Sequence, residues 1–426
     1  MKKNKNRVVV GLQWGDEGKG KIVDLLAADV DIIARCQGGA NAGHTIIIND
    51  KKHVLRLIPS GIFHPGKVCC IGNGVVIDPF SLKEELDLLS SQGVNFDGRL
   101  FVSPAANLVL PYHKLIDATD ERNRGTESIG TTQRGIGPAY VDKVARNGIR
   151  VVDLFATERL RHRLEYQKTI KEKYLAGSSD ERADIDRIFH DLQHMAAMFR
   201  PLVADISKYL WDSWKSGKTL LYEGAQGSML DVDLGTYPFA TSSNTITGGV
   251  LTGLGIGPQM IDEVVGIVKA YTTRVGAGPF PTELVDELGE KLRITGDEYG
   301  SVTGRPRRCG WLDLVSLKHA VRINGVSSIA ITKLDVLDGL QELNVCVAYD
   351  INGHICSDVP LDLAELYYAR PVYRTLPGWS GDTTGLTQFE DLPKNARHYL
   401  EFIANDLGVE ILLVSTGAKR METIVV

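Results

Sequence analysis

Little in this sequence points away from ordinary solution chemistry. Cysteine is scarce, six in 426 residues with no Cys-x-x-Cys pair, which excludes a disulfide framework and a thiolate zinc site. Cys69 and Cys70 are adjacent on an apolar stretch and Cys36, Cys309, Cys346 and Cys356 are scattered, so a reducing cytoplasm is the expected compartment. No apolar run approaches the roughly 20 residues needed to cross a bilayer. Val8-Val9-Val10, behind the basic start Met1 to Arg7, is too short for the core of a secretory signal. A surplus of positive charge is also missing. Lysine and arginine number 48 against 53 aspartates and glutamates, a net charge of −5, which argues against a general nucleic-acid binder. No Pro/Ser-rich linker divides the chain, so residues 1–426 are expected to form one domain.

What the chain does have is glycine, 44 residues of it, concentrated behind apolar runs. Val8-Val9-Val10 leads into Gly11-Leu-Gln-Trp-Gly15-Asp-Glu-Gly18-Lys19-Gly20-Lys21, and an apolar-patterned segment from Ile22 to Ala28 follows. That order predicts strand, glycine-rich turn and helix start, an arrangement in which backbone N–H groups converge on a phosphate. Gly15 to Lys21 fits the phosphate-loop pattern G-x-x-x-x-G-K-[ST] except at its last position, where Ile22 replaces the hydroxyl that normally holds magnesium. A metal ligand must then come from elsewhere, and Asp16 inside the loop is the candidate.

Further along, Asp31 to Arg35 reads as a second strand ending in another glycine-rich loop, Gln37 to Thr45, and Ile46–Ile48 with His53–Ile58 as a hairpin. Strands are also expected at Lys67–Ile71, Leu100–Val102, Thr219–Tyr222, Glu263–Ala270, Ile329–Thr332 and Ile411–Val414, with Val345–Tyr349 pairing near an edge. The polar stretch Asp117 to Tyr140 predicts a long functional loop. Residues 152–214, by contrast, are charged and helical in pattern and predict an excursion packed outside the sheet. Strands alternating with helices, with polar motifs at the strand ends, define the expected fold class: α/β, a large mostly parallel central sheet flanked by helices, phosphate-loop-NTPase-like, with a helical insertion.

Thr332-Lys-Leu-Asp335 supplies base recognition. A carboxylate at a strand end can accept from both N1–H and the exocyclic amine of guanine, whereas adenine offers an acceptor at N1 and no amine there, so GTP is expected over ATP. Ser415-Thr416-Gly417 can line the other side of that pocket. His44 lies between Gly43 and Thr45 in the second loop, placed to steady charge on a transferred phosphoryl group or to donate a proton, with Asp16 as the nearest base. Arg305, Arg307 and Arg308, stiffened by Pro306, suit an acidic substrate.

Taken together, Gln13 to Lys21, Gly39 to Thr45, Gly130 to Tyr140, Glu223 to Gly227, Gly304 to Trp311 and Thr332 to Asp335 closely resemble the adenylosuccinate synthetase family, over nearly the whole chain. The resemblance implies that IMP, L-aspartate and GTP give adenylosuccinate, GDP and phosphate through 6-phosphoryl-IMP. It implies Asp16 as base, His44 as acid, and Lys19 and Gln226 as further catalytic groups. Asp16 and the Gly43 carbonyl would hold one Mg2+ per subunit. GTP contacts carry over to Gly15, Asp16, Glu17, Gly18, Lys19, Gly20, Lys21, Gly43, His44, Thr45, Arg307, Lys333, Leu334, Asp335, Ser415, Thr416 and Gly417. For IMP they carry over to Asp16, Glu17, Gly18, Lys19, Asn41, Ala42, Gly43, His44, Thr132, Gln226, Thr241 and Arg305, with Arg146 reaching the neighbouring subunit's IMP in a homodimer. The aspartate loop matches Ser301, Val302, Thr303, Gly304, Arg305, Pro306 and Arg307, and Pro306 departs from an arginine found in some members. Two competing readings of the same motifs are a GTP-hydrolysing switch and a non-catalytic purine-nucleotide-binding regulator.

Overall fold

The computed structural model describes residues 5–41, 43–48, 51–178, 180–300, 304–360 and 362–426. Its centre is a nine-stranded sheet. In chain order the strands are β1 (Arg7–Gly11), β2 (Ile32–Arg35), β3 (Val68–Ile71), β4 (Leu100–Val102), β5 (Leu220–Glu223), β6 (Glu263–Lys269), β7 (Ser328–Thr332), β8 (Glu410–Ser415) and β9 (Thr423–Val425). Across the sheet they run β9-β8-β7-β6-β1-β5-β2-β3-β4, all parallel except β9, which is antiparallel to β8. Val8 pairs with Val264 on one side and Tyr222 on the other.

The apolar runs form central strands because both faces of the sheet are covered. Val8 and Val10 point into one core, shared with Tyr222, Val268, Ile329 and Ile331. Val9, one residue out of phase, points into the other with Ile33, Leu221, Val265 and Ile267. Helix α1 (Lys19–Ala27) contributes Ile22, Val23 and Leu26 to that second core.

From β1 the chain moves to β2, β3 and β4 on one side, returns to insert β5 beside β1, and then builds β6, β7 and β8 on the other side. Loops leaving the carboxyl ends of β1 and its neighbours therefore diverge, and the crevice between them is where open α/β sheets bind ligands. Five of the motifs noted above follow these strands: Gly11 to Lys21 after β1, Gln37 to Thr45 after β2, Gly224 to Gly227 after β5, Lys333 to Asp335 after β7, and Ser415 to Gly417 at the end of β8.

Two expectations change. The segment 117–140 is not one long loop: α2 (Pro111–Arg124) runs well into it and α3 (Ile136–Val144) begins before its end. The helical period was hidden because α2 buries two carboxylates, Asp117 and Glu121, alongside Leu115 and Ile116. Val345–Tyr349 lies in a strand, Glu342–Ile351, that belongs to a separate sheet. There it pairs antiparallel with Arg370–Pro377 and closes a small core of Val315, Cys346, Tyr349, Ile351 and Leu366. Its apolar residues divide between the two cores: Leu343 and Val345 join the one under the main sheet, while Cys346, Tyr349 and Ile351 close the local one.

The charged stretch 152–214 is helical as expected, with α4 (Thr157–Ile170), α5 (Ile185–Phe199) and α6 (Ile206–Lys215). Leu160, Leu164, Ile188 and Leu192 pack inward, while pairs such as Arg161 with Asp186 at 2.6 Å stay on the solvated face. Among the described residues no helix is long and apolar enough to cross a membrane.

Candidate active site

The first loop turns on left-handed backbone at Gly15 (φ 85°), Asp16 (φ 59°) and Gly18 (φ 86°), so α1 starts immediately after Gly18. Glu17 is folded under this turn and fully buried. Its carboxylate accepts from the N–H of Gln13 (3.0 Å) and Gly15 (2.9 Å) and from Lys19 Nζ (2.5 Å). The Glu17 side chain thus holds the loop's shape, and contact with a nucleotide is left to its backbone. Lys21 is also redirected. The phosphate-loop pattern aims this lysine at phosphates, but Lys21 Nζ donates to Ser415 Oγ (2.7 Å), Gly417 O (2.7 Å) and Glu422 O (2.8 Å). Burial lowers its pKa to about 8, against the pull of Glu422 and Asp335. The reason is the helix start: with α1 opening at Lys19, Lys21 lies within the first turn and faces the loop after β8.

The second loop brings His44 against α1. Gly20 is required there, since a Cβ would stand 3.1 Å from His44 Cβ and 3.2 Å from Thr45 O. His44 Nδ1 donates to Glu223, at the end of β5, and His44 Nε2 is buried with no partner. Glu223 also accepts from Ser60 N and Ser60 Oγ, both at 2.9 Å. Burial outweighs Glu223 and lowers the His44 pKa, while His44, Arg35 and Ser60 overcome burial and keep Glu223 ionised. The imidazole is therefore fixed in orientation with one nitrogen left to serve a ligand. Beside it Gln226 Nε2 donates to Asn41 Oδ1 (3.2 Å), and Gln37 Nε2 donates to Gln226 Oε1 (3.2 Å).

Arg307 grips Asp16. Its Nε donates to Asp16 Oδ2 (2.9 Å) and its Nη1 to Glu298 Oε2 (2.7 Å). Burial opposes its charge, but Asp16 and Glu298 together raise its pKa. Glu298 is fully buried and also takes Lys269 Nζ (2.8 Å), Lys333 Nζ (3.2 Å) and the Tyr271 hydroxyl. Burial disfavours its charge, yet Lys269, Lys333 and Arg307 hold its pKa well below the carboxylate range. Arg305 Nη1 donates to Gly130 O (3.0 Å), joining its loop to the one carrying Thr132. Arg308, grouped with these arginines as a substrate reader, is instead consumed by Glu283 through two hydrogen bonds.

At the end of β7, Thr332 Oγ1 donates to Glu17 O (2.6 Å), tying the Lys333–Asp335 segment to the first loop. Asp335 Oδ1 is buried and has no partner, and burial raises its pKa. An orphaned buried acceptor at this place is what a guanine edge would satisfy.

A cavity of about 630 Å³ opens at the strand ends. Gly15, Asp16, Lys19, Asn41, Gly43, His44, Thr132, Gln226 and Thr241 line it together. These nine, all of them among the residues expected at the site, therefore meet at one cavity. Arg305, Arg307, Lys333 to Asp335 and Ser415 to Gly417 surround the first loop without lining that cavity, and Arg146 is exposed beyond α3. Ala42, Ser301, Val302 and Thr303 lie outside the described residues. Four carboxylates were given no role in the sequence reading. Glu223 and Glu298 are two; Asp117 and Glu121 are the others, holding the Thr132 loop by accepting from Thr131 Oγ1 (2.9 Å), Gly135 N (2.8 Å) and Thr131 N (3.1 Å). Only the i, i+4 spacing of the last two was visible as a signal.

The family model described as adenylosuccinate synthetase matches residues 8–424. Among curated proteins, adenylosuccinate synthetase of Halothermothrix orenii is 50% identical over 423 residues, 98% of each chain. That of Bordetella avium is 51% identical over 426 residues, 99% of this chain and 98% of its own. Among solved structures, fully ligated adenylosuccinate synthetase from Plasmodium falciparum superposes with a TM-score of 0.93 at 39% identity, covering 99% of this chain and 100% of that one. A succinoaminodeoxyadenylate synthetase of cyanophage S-2L, at 22% identity and a TM-score of 0.60, shares the fold. With the strand-end loops, the buried histidine and the orphaned guanine-type acceptor arranged as described, the chain belongs to the adenylosuccinate synthetase family, GTP-dependent ligases that join IMP and L-aspartate into adenylosuccinate.

Proposed function

We propose that Asp16 and His44 divide the acid–base work of this ligation around the hypoxanthine ring of IMP. Asp16 removes the N1 proton, and the electron pair passes to O6, which attacks the γ-phosphorus of GTP as the bond to GDP breaks. The 6-phosphoryl group converts a poor leaving oxygen into phosphate. The aspartate amine then adds at C6, phosphate departs and the amine loses a proton. His44 takes a proton from water at Nε2 as the anionic phosphoryl group arrives, overcoming the burial that lowers its pKa, and donates from Nε2 to the O6–phosphoryl region while Glu223 steadies the charge from the far side. The observation that carries this reading is the unpartnered His44 Nε2, buried in the cavity wall that Asp16 also lines. Lys19 balances phosphoryl charge, Gln226 and Asn41 orient the base, and Thr132, Thr241 and Arg305 hold the rest of IMP. The segment 301–307 receives aspartate.

Asp16 and the Gly43 carbonyl hold Mg2+. Among the described residues no three acidic, histidine or cysteine side chains gather around a metal position. That suits an ion bound by one carboxylate, one carbonyl, waters and substrate phosphates. The bound ion would neutralise charge on the phosphates.

In our reading the chain works as one α/β domain in the cytoplasm, a compartment consistent with six free cysteines, five of them buried. It acts as a homodimer in which Arg146 enters the neighbour's IMP site. Supporting the shared site, Arg146 is exposed and stands beside two uncovered apolar side chains of α3, Val141 and Val144.

Ultraviolet absorbance of the purine ring tests the reaction. Product is expected only with magnesium, GTP, IMP and aspartate all present; phosphate release without IMP and aspartate would instead indicate a GTP-hydrolysing switch. Site sharing has its own test. Arg146→Leu and Asp16→Asn chains, each inactive, should recover about a quarter of wild-type activity when mixed and allowed to exchange, because half the dimers are mixed and each has one intact site. No recovery despite demonstrated exchange would refute sharing.

A further inference from the structure

We propose that Glu298 is a positioning residue for the nucleotide: one buried carboxylate aims both Arg307 and Lys333, and so orders the acid–base end and the base-reading end of the site together. The proposal rests on the assignment of Arg307 and Lys333 to GTP.

Glu298 does not line the strand-end cavity and follows no motif, yet its two oxygens collect groups from three elements of the fold. Oε1 accepts from Lys269 at the end of β6 (2.8 Å), from Lys333 just after β7 (3.2 Å) and from the Tyr271 hydroxyl. Oε2 accepts from Arg307 Nη1 at 2.7 Å. The backbone repeats the link, since Arg307 N–H donates to Glu298 O at 2.9 Å. Each of the two ligand-directed cations has a second anchor: Lys333 Nζ on Gly296 O, and Arg307 Nε on Asp16 Oδ2 at 2.9 Å. Among the described residues Glu298 is thus the one group shared between them.

The charge count explains why this is more than a structural ion pair. Glu298 faces three cations and Asp16 shares one of them, Arg307, so two carboxylates stand against three cations and do not fully neutralise the cluster. What Glu298 supplies is direction. Arg307's planar fork is used on two edges, one against Glu298 and one against Asp16, so the Glu298 contact fixes the plane in which the guanidinium meets the proposed base. The Lys333 ammonium is held back by Glu298 and Gly296, leaving its alkyl stem along the purine-base end. Removing the Glu298 charge frees both cations at once and leaves Lys269 without its buried counter-charge.

Steady-state kinetics of the magnesium-loaded enzyme decide the matter. Glu298→Gln is expected to raise the KM for GTP by about tenfold or more while the KM for IMP stays within about twofold. Glu298→Asp, which keeps the charge on a shorter stem, moves the GTP KM in the same direction by about threefold, and carries the test should Glu298→Gln fail to fold. Lys269→Met is the stability control. It removes a fully buried cation that lines no part of the cavity, and is expected to lower thermal stability while the GTP KM changes by less than about threefold. In an Arg307→Leu, Lys333→Met background, Glu298→Gln should add less than about twofold, because its targets are gone. Equal rises in the KM values for GTP and IMP, or a GTP KM that tracks stability in Lys269→Met as well, overturn the proposal. If Arg307→Leu and Lys333→Met each raise the GTP KM but Glu298→Gln does not, this inference alone falls. If those two variants bind GTP normally, the GTP assignment falls with it.

Discussion

Asp16→Asn is expected to abolish turnover, lowering kcat by about a thousandfold or more, with the fold intact. Asparagine is nearly isosteric with aspartate and tolerates the left-handed backbone that residue 16 adopts at φ 59°, so the loop keeps its turn. What disappears is the negative charge, and with it two proposed roles: acceptance of the N1 proton and ligation of magnesium. The ion pair with Arg307 is lost too. The Asp16 side chain is 35% exposed, and pairs open to solvent contribute little to stability. Thermal melting should therefore shift by no more than a few degrees while the absorbance assay falls silent. A variant that melts normally and still turns over at near wild-type rate would remove Asp16 from the chemistry.

The contrast between Asp16 and Lys21 illustrates what a sequence can and cannot disclose. Asp16 was legible because its neighbours are local: glycines before and after it, a valine strand upstream, an apolar helix downstream. The strands and their order of function followed from the same kind of short-range signal, apolar β-branched runs terminated by glycine. The direction in which Lys21 points was not legible, because its partners, Ser415 Oγ and the carbonyls of Gly417 and Glu422, lie about 400 positions away. No local pattern records them. Glu223 and Glu298 fail for the same reason. A lone glutamate at a strand end or in a loop reads as surface, and becomes a buried hub only when the fold sets β5 beside β2, for Glu223, and β6 beside β7, for Glu298. Helix α2 was obscured by the opposite effect, since Asp117 and Glu121 occupy buried positions where apolar residues would have revealed the period. They can do so because the following loop donates hydrogen bonds to both carboxylates.

Asp335→Asn is expected to exchange one nucleotide for another. In this chain Asp335 Oδ1 is buried and unpartnered, at the end of a strand tied to the phosphate-side loop through Thr332 and Glu17. Guanine offers a carboxylate two donors, N1–H and the exocyclic amine. An asparagine would present one acceptor and one donor, so its amide group would meet the amine donor to donor. Xanthine keeps N1–H but has a carbonyl in place of the amine, which the asparagine amide can satisfy. A site built around buried hydrogen bonds discriminates strongly when a partner is lost, and hydrogen bonds to charged groups are worth about 1.5–3 kcal/mol each. The ratio of kcat/KM for GTP over XTP should therefore swing by about three orders of magnitude. Stability should move the other way. Burial raises the Asp335 pKa, so the folded state is favoured while the acid is protonated and loses that advantage as pH rises through the folded pKa. Burial disfavours the charged form of this carboxyl, and the neutral amide of asparagine escapes that cost. Asp335→Asn is thus expected to melt no lower than the parent at neutral pH while losing GTP, which separates a ligand-binding carboxylate from one that merely supports the fold. A variant that keeps its preference for GTP would show that the guanine edge is read elsewhere.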